Sequence, residues 1–320
     1  AVAERPSVSV VTMGWRNEHH AAAFVSSLAR ASAAAGAGGP PPEVILVVNG
    51  EEGEGAAAAA NQAVVDVGLE LTVVRLDTNT GFSGGANAGV RHATGEIVVV
   101  ANLDLEFDER FLVALRRAAG ADGAWDLLAP RVLQGPGHED SGVSRRTSSH
   151  RLAWVSPPPS RSAPVSGGNG ACLVLRRATL DRREDSVGEL FDPEYHSFNE
   201  DIDLFWWAER EGLVVRYEPA LVVVHVLAGS FGGDHRFRDR PIDVQRRVIA
   251  NYRVTVWKNA NGLGDWAGWL LGEAVYAGQA AAFGGVTGLR VYAASWPVSV
   301  RTAAAIRRRR GRLRPPRSRV

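Results

Sequence analysis

Short apolar runs alternate with stretches of helical periodicity through the first hundred residues, and this alternation predicts the architecture. Ser7-Val-Ser-Val-Val-Thr12 is rich in β-formers and predicts a first strand, followed by a helix from about His20 to Ala35. Gly36 to Pro42 reads as a Gly/Pro loop. Glu43-Val-Ile-Leu-Val-Val48 is continuously apolar, the mark of a strand buried on both faces. A helix over Ala56–Val67, a strand over Leu71–Leu76, a Gly-rich turn over Thr80–Gly85, a helix over Ala86–Ala93 and a strand over Glu96–Ala101 complete the series. Strand and helix alternating four times predict an α/β fold with a mostly parallel sheet and right-handed crossovers. Ligands of such sheets bind beyond the carboxyl ends of the strands. Four segments follow strands and are expected to converge there: Thr12–Glu18, Asn49-Gly50, Asp77–Gly85 and Asn102–Asp104.

After residue 120 the rhythm changes. Residues 135–168 are rich in Ser, Pro, Gly and Arg and read as a long surface excursion, of the kind that is usually functional or disordered. Ala171–Arg176 predicts another short strand and Glu200–Gly212 a helix. Two strand-like runs, Leu213–Tyr217 and Leu221–Val226, flank Glu218-Pro219. Beyond about residue 240 the pattern is helical, over 242–258, 265–283 and 286–310.

Composition changes this picture in three places. The 320 residues carry a net charge of +1, but the last twenty hold nine Arg and no acid. Without them 27 basic and 35 acidic residues remain, so residues 1–300 carry about −8, which disfavours nucleic acid as a partner of the body. A single cysteine, Cys172, rules out an intrachain disulfide framework and a cysteine-rich metal site. No basic, apolar leader stands before the first strand, and no run of about 20 apolar residues occurs. The expected location is therefore cytoplasmic, at most peripheral at the inner face of a membrane.

Several residues invite a chemical reading beside a plainer one. Asn102-Leu103-Asp104 ends the Val-rich strand, and a carboxylate there could hold Mg²⁺ or Mn²⁺ against a diphosphate. An acidic strand-to-helix loop explains it locally as well. Asn199-Glu200-Asp201 opens a helix, where the helix dipole favours acids. The alternative is a general base that accepts the proton of an attacking sugar hydroxyl. Asp203 reads as structural. His225, at a strand end, becomes a metal or diphosphate ligand only if that end faces Asp104. Thr78–Asn87, with Asn79 and Gly81, is Gly-rich ahead of a helix and suits a phosphate or a sugar. It has neither dinucleotide-fingerprint nor P-loop spacing. Gly167-Gly168-Asn169-Gly170-Ala171 is either a close approach to substrate or a tight turn. The apolar segment Trp266–Phe283 with the basic tail could rest on an anionic membrane, pack on the catalytic domain, or join a second subunit in a homo-oligomer.

Taken in order, these segments resemble the family 2 inverting glycosyltransferases, especially the bacterial rhamnosyltransferase-like branch. The resemblance rests on Asn79-Thr-Gly-Phe-Ser-Gly-Gly-Ala-Asn-Ala-Gly89 and Ala93-Thr-Gly-Glu-Ile-Val-Val-Val-Ala-Asn-Leu-Asp104, and on Gly168–Arg177. It continues through Phe191-Asp-Pro-Glu-Tyr195, Glu200-Asp-Ile-Asp-Leu204, Tyr217-Glu-Pro219 and His225, and spans roughly residues 7–226. It implies a GT-A fold, a nucleotide-diphosphate sugar donor and a divalent Mn²⁺ or Mg²⁺. Asp104 matches the metal-binding carboxylate, Asp201 the catalytic base, and His225 a histidine that joins the metal site in some members. Thr12, Asn49 and Asn79 fall where the family contacts the nucleotide, beside Gly81 and Asn102. The implied acceptor is a glycan, a lipid-linked carrier or a small molecule, in cell-surface polysaccharide or natural-product synthesis, and the implied donor sugar is of rhamnose type.

The implied organisation is a catalytic domain over 1–235, with a nucleotide-sugar half (1–120) and an acceptor half (121–235), a helical region over 236–310, and a disordered basic tail over 311–320. Three positions depart from the family pattern. Asn49 stands in place of an Asp, Leu103 in place of a Pro, and Trp15-Arg16-Asn17 in place of Tyr-Asn. Two rivals remain. A sugar-1-phosphate nucleotidyltransferase would show a Gly-rich basic signature where this chain has Thr12-Met-Gly-Trp-Arg16. A non-catalytic nucleotide-sugar-binding relative would not need to keep Asp104 and Asp201.

Overall fold

A computed structural model describes residues 6–36, 39–65, 67–120, 124–134, 139–226 and 240–313. The first half is built from β1 (Val8–Gly14), α1 (Ala21–Ala35), β2 (Glu43–Asn49), α2 (Glu54–Val64), β3 (Glu70–Leu76), α3 (Gly81–Val90), β4 (Ile97–Ala101), β5 (Leu105–Phe107) and α4 (Phe111–Gly120). The second half contains β6 (Leu127–Gln134), β7 (Glu139–Asp140), β8 (Ser144–Arg146), β9 (Leu152–Trp154), β10 (Ala163–Pro164), β11 (Cys172–Arg176), α5 (Arg177–Val187), α6 (Glu200–Arg210) and β12 (Val215–His225). Two helices follow, α7 (Ile242–Asn259) and α8 (Leu263–Leu313).

One sheet runs β10-β12-β6-β11-β4-β1-β2-β3. Its β4-β1-β2-β3 side is parallel, as the alternating pattern predicts. The parallel order stops at β11, which inserts antiparallel between β4 and β6. Successive residues of β1 point into different cores. Val8 and Val10 face α1, α2 and α4, whereas Val11 and Met13 face α3 and α6. Helices on both faces explain why these strands read as unbroken apolar runs.

Two expectations are corrected and two are sharpened. The segment Thr80–Gly85 is not a turn before a helix, because α3 already begins at Gly81 and its glycines lie against the sheet. A Cβ on Gly85 would come within 2.8 Å of Met13 Cγ, and one on Gly89 within 2.3 Å of Val11 Cγ1. The stretch before Gly167 is anchored at its start and then follows the surface, only Ser149 being buried between Arg145 and Ser166. Residues 144–154 form a β8–β9 hairpin, β10 extends the sheet edge at β12, and Ser141, Val143 and Ser144 are buried. Its hydroxyls divide between core and surface: Ser144 Oγ donates to the Gly168 carbonyl at 2.7 Å, whereas Ser148, Ser156, Ser160 and Ser166 are exposed. The two runs around Glu218-Pro219 are one strand, β12, with a register shift between Glu218 and Val222. The last two predicted helices, 265–283 and 286–310, are the two limbs of α8, which reverses between them at Gly285 (φ 53°).

The reversal makes α8 an antiparallel hairpin whose limbs meet in a polar core. Arg253 Nε of α7 donates to Glu273 Oε1 at 2.8 Å, and Tyr292 Oη donates to Glu273 Oε2 at 2.7 Å. The helix continues to Leu313, past the expected start of the basic tail; residues 314–320 and the side chains from 311 lie outside the described residues. Near its end, Arg309 and Arg310 reach Asp192 in the catalytic half.

Candidate active site

The loops after β1, β2, β3 and β4 converge on one open cleft of about 1080 Å³, as parallel strands sharing one polarity require. Met13, Trp15, Asn49, Asn79, Gly81, Asn102 and Asp104 line it. Thr12 does not: its side chain is buried within β1, and Oγ1 has no partner there.

Asn49 holds the third loop in place. Its Oδ1 accepts from Thr80 N at 2.8 Å and from Thr80 Oγ1 at 3.0 Å, while its Nδ2 donates to the Gly81 carbonyl at 2.9 Å. A carboxylate here would keep the acceptor but lose the donor, which gives a physical reason for Asn in place of the family's Asp. Asn49→Asp is therefore expected to destabilise the fold by about 1–3 kcal/mol, since it sets a carboxylate oxygen against a buried carbonyl. A urea midpoint unchanged from the wild type would contradict this. Asn79 Oδ1 accepts from Gly81 N at 2.8 Å. Gly81 itself has φ +72°, and a Cβ there would stand 2.2 Å from the His196 carbonyl oxygen, so only glycine fits.

Asp104 sits where β4 gives way to β5. Because β5 pairs antiparallel with β12, His225 is brought beside it: Leu105 is in register with His225, and Val226 N donates to the Asp104 carbonyl at 3.0 Å. His225 Nε2 lies 3.2 Å from Asp104 Oδ1, so the condition set for His225 by its position at a strand end is met. Burial pushes the Asp104 carboxyl up, but the hydrogen bond and charge of His225, with the charge of His20, hold it below its ordinary value. The pair is a two-donor set of carboxylate and imidazole. Among the described residues no group of three or more His, Cys, Asp or Glu could hold a metal. Two donors nonetheless suit a hard cation that completes its shell with substrate phosphates and water.

Glu200 and Asp201, at the start of α6, line the same cleft. Asp201 Oδ1 accepts from Ile202 N at 2.8 Å, and a Cβ on Gly170 would stand 2.5 Å from Asp201 Oδ2. The small-residue turn both packs tightly and lines the cleft. Gly168 packs on Ala129 and Phe205, whereas Asn169, Gly170 and Ala171 line the cleft. Burial pushes Glu200 far up, with the charge of Asp201 adding to it, and its Oε2 has no partner. Burial also raises Asp201, with hydrogen bonds from backbone N–H groups working against it. Both carboxyls therefore hold a proton more readily than exposed ones, Glu200 the more so because the charge of Asp201 adds to its burial.

Sequence reasoning missed the far end of the cleft. His196, Phe198, Arg247, Tyr252 and Tyr276 line it, the last three from the C-terminal helices. The loop 196–199 has positive φ at His196, Phe198 and Asn199. It is held by Asn251 of α7, whose Nδ2 lies within 3.0 Å of the carbonyl oxygens of Tyr195, Ser197 and Phe198. Arg247 Nη1 lies 3.0 Å from His196 Nδ1. The only local signal was His196 itself, between two segments that the resemblance had already matched.

Comparisons with known proteins bear on the family and the fold. A family model described as glycosyl transferase family 2 matches residues 9–181, more than half of the chain. The low-salt glycan biosynthesis hexosyltransferase Agl10 of Haloferax volcanii is 23% identical over 188 residues, which are 55% of this chain and 54% of that protein. The chain thus matches about half the length of this curated relative. Among solved structures, the mannosyltransferase PcManGT from Pyrobaculum calidifontis, in complex with GDP-Man and Mn²⁺, superposes with a TM-score of 0.55. It is 19% identical and covers 97% of this chain and 81% of its own. TarS (1–349) of S. aureus in complex with UDP-GlcNAc gives a TM-score of 0.59 at 15% identity, covering 95% and 92%. These likenesses show the fold, the GT-A type, with the C-terminal helices included in the superposed length.

Proposed function

The chain belongs to glycosyl transferase family 2, and on that premise we propose that it transfers a hexose-type sugar from a nucleoside-diphosphate donor to an acceptor hydroxyl, with inversion at the anomeric carbon. The observation that carries this reading is that two carboxylates line one cleft: Asp104 beside His225, and Asp201 beside Gly170. The relatives support the donor class, since the two solved structures hold GDP-Man and UDP-GlcNAc. The glycan-assembly role named for Agl10 favours an acceptor in cell-surface glycan or glycoconjugate synthesis.

Asp104 and His225 are the residues that would hold Mn²⁺ or Mg²⁺. Such an ion, when bound, neutralises charge that builds on the leaving diphosphate. Asn49, Asn79 and Gly81 shape the floor on which the nucleotide would rest. Asp201 accepts the proton of the acceptor hydroxyl as its oxygen attacks the face of the sugar opposite the leaving group. Burial, which raises the carboxyl of Asp201, makes it a better proton acceptor than an exposed aspartate. Tyr252 and Tyr276 offer flat surfaces to the acceptor at the far end.

The test is a thermal-shift screen of GDP-, UDP- and dTDP-sugars with and without Mn²⁺, followed by measurement of nucleoside-diphosphate release with candidate acceptors. A donor present at a hundred times its Kd is expected to stabilise by about 2.7 kcal/mol. That shift should disappear when Mn²⁺ is withheld and in Asp104→Ala. The reading is overturned if no nucleotide sugar shifts the melting temperature under any of these conditions.

A further inference from the structure

We propose that the C-terminal hairpin docks this chain on the surface of a bilayer containing anionic lipid, through the outward face of α8. This inference does not depend on the transfer activity.

The first limb of α8 turns Gly268, Gly272 and Glu273 inward. A Cβ on Gly268 would come within 2.5 Å of the Ser148 carbonyl, and one on Gly272 within 1.8 Å of Tyr252 Oη. The opposite stripe, at helical spacing, contains Leu263, Ala267, Leu270, Ala274, Gly278 and Ala281, all exposed. Leu263 is 90% exposed and Leu270 61%. At the reversal Phe283 is 66% and Val286 67% exposed, and no atom comes near the Cβ positions of Gly284 and Gly285. From Trp266 to Leu289 the only ionisable group apart from tyrosine is Glu273, which is buried and paired with Arg253. Twenty-odd residues of solvent-facing helix without one exposed charge is not an ordinary surface.

Charge selects the occupant. No acid follows Glu273 anywhere in the sequence, whereas Arg290, Arg301, Arg307 and Arg308 are exposed on the second limb. Arg290 and Arg301 share the outward face with Val286, Leu289 and Val300, opposite the buried Val291, Ser295 and Ser299. An apolar face bearing only cations matches a surface of acyl chains under anionic headgroups. It matches a second copy poorly. A two-fold contact would set arginine against arginine, and a contact with the acidic body of another copy would be head-to-tail and need not close. The helix lies on the bilayer in this reading, since among the described residues no helix is long and apolar enough to cross one. Tyr276 of the same limb lines the cleft, so the docking face and the acceptor end share one element.

The experiment is flotation of the full chain with vesicles of phosphatidylcholine alone or mixed in equal parts with phosphatidylglycerol, alongside light scattering without lipid. The chain should float with the mixed vesicles and dissociate at high salt. Reversing Arg301 and Arg308 to Glu should weaken binding by about fivefold or more for each charge, from roughly 1 kcal/mol per basic residue near such a surface. Leu270→Glu with Phe283→Glu should abolish flotation with an unchanged circular-dichroism melt, both side chains being exposed. The proposal is overturned if the chain ignores both vesicles and instead forms a dimer that the double variant dissociates. It is equally overturned if the chain is monomeric and lipid-blind, or if the double variant still floats. Flotation needs no donor or acceptor. Lipid binding without transfer would therefore sink only the activity proposed above, and transfer without lipid binding only the docking.

Discussion

Asp201→Asn is expected to lower sugar transfer by about 10³-fold, within the range a general base contributes, while leaving nucleotide-sugar binding nearly intact. The substitution keeps size and shape, so Gly170 still fits beneath it and α6 keeps its first turn. What it removes is the proton acceptor. A second signature follows from burial, which raises the Asp201 carboxyl above its ordinary value. The wild-type rate should be low where Asp201 is protonated and climb as pH rises through that elevated value, so the acid limb lies above the pH expected for a free aspartate. Single-turnover rates across pH, with donor affinity measured in parallel, check both points. Transfer by Asp201→Asn at close to the wild-type rate would remove Asp201 from the role of base.

Lys258→Met is expected to give the largest loss of stability. Lys258 is the only lysine in the chain, and it is buried between two carboxylates, with Nζ 2.5 Å from both Asp192 Oδ2 and Asp203 Oδ2. Arg183 Nη2 donates to the same Asp203 oxygen at 2.6 Å, Asn259 Nδ2 donates to Asp203 Oδ1 at 2.8 Å, and Arg309 closes the cluster on Asp192. Burial pushes Asp203 up, yet Lys258 and Arg183 overcome it and hold the carboxyl far below the aspartate range. Removing the central cation leaves buried carboxylates undercompensated, a change that typically costs about 3–5 kcal/mol. Chemical denaturation should show a lower midpoint, with Lys258→Arg retaining part of the difference.

The sign with pH follows from the depressed carboxyl. Its contribution is present above the unfolded aspartate value and is lost as pH falls toward the folded one, so wild type and Lys258→Met should converge in acid. Because Asp203 lies two residues after Asp201 on α6, the same cluster anchors the helix that carries the proposed base. A denaturation midpoint unchanged in Lys258→Met would show that the cluster is worth no more than an exposed ion pair.

The order of strands and helices over the first hundred residues was legible because buried parallel strands must be continuously apolar, and Val44–Val48 and Ile97–Ala101 are. The ends of elements were less legible. Glycine in Gly81–Gly89 signals a turn by propensity, yet here it is what lets a helix approach the sheet. Propensity lost to a packing demand that no local pattern records. The Ser- and Pro-rich stretch before Gly167 was legible as surface, but the anchors at its start were not, since composition cannot tell whether a hydroxyl faces water or, like Ser144, a buried carbonyl.

The two carboxylates show where the division falls. Sequence alone determined that Asp104 ends a buried strand and that Asp201 opens a helix, because strand burial and helix-start chemistry are written in neighbouring residues. It also placed both within an order of motifs, of which the family match over residues 9–181 takes in Asp104 and ends before Asp201. Only the tertiary structure decided that His225, more than a hundred residues on, comes within 3.2 Å of Asp104, through the pairing of β12 with β5. It likewise decided that the far wall of the cleft is built by α7 and α8, where Asn251 holds the 196–199 loop and Lys258 anchors α6. Those contacts depend on how separate segments meet in space, and the side chains that make them carry no periodicity of their own.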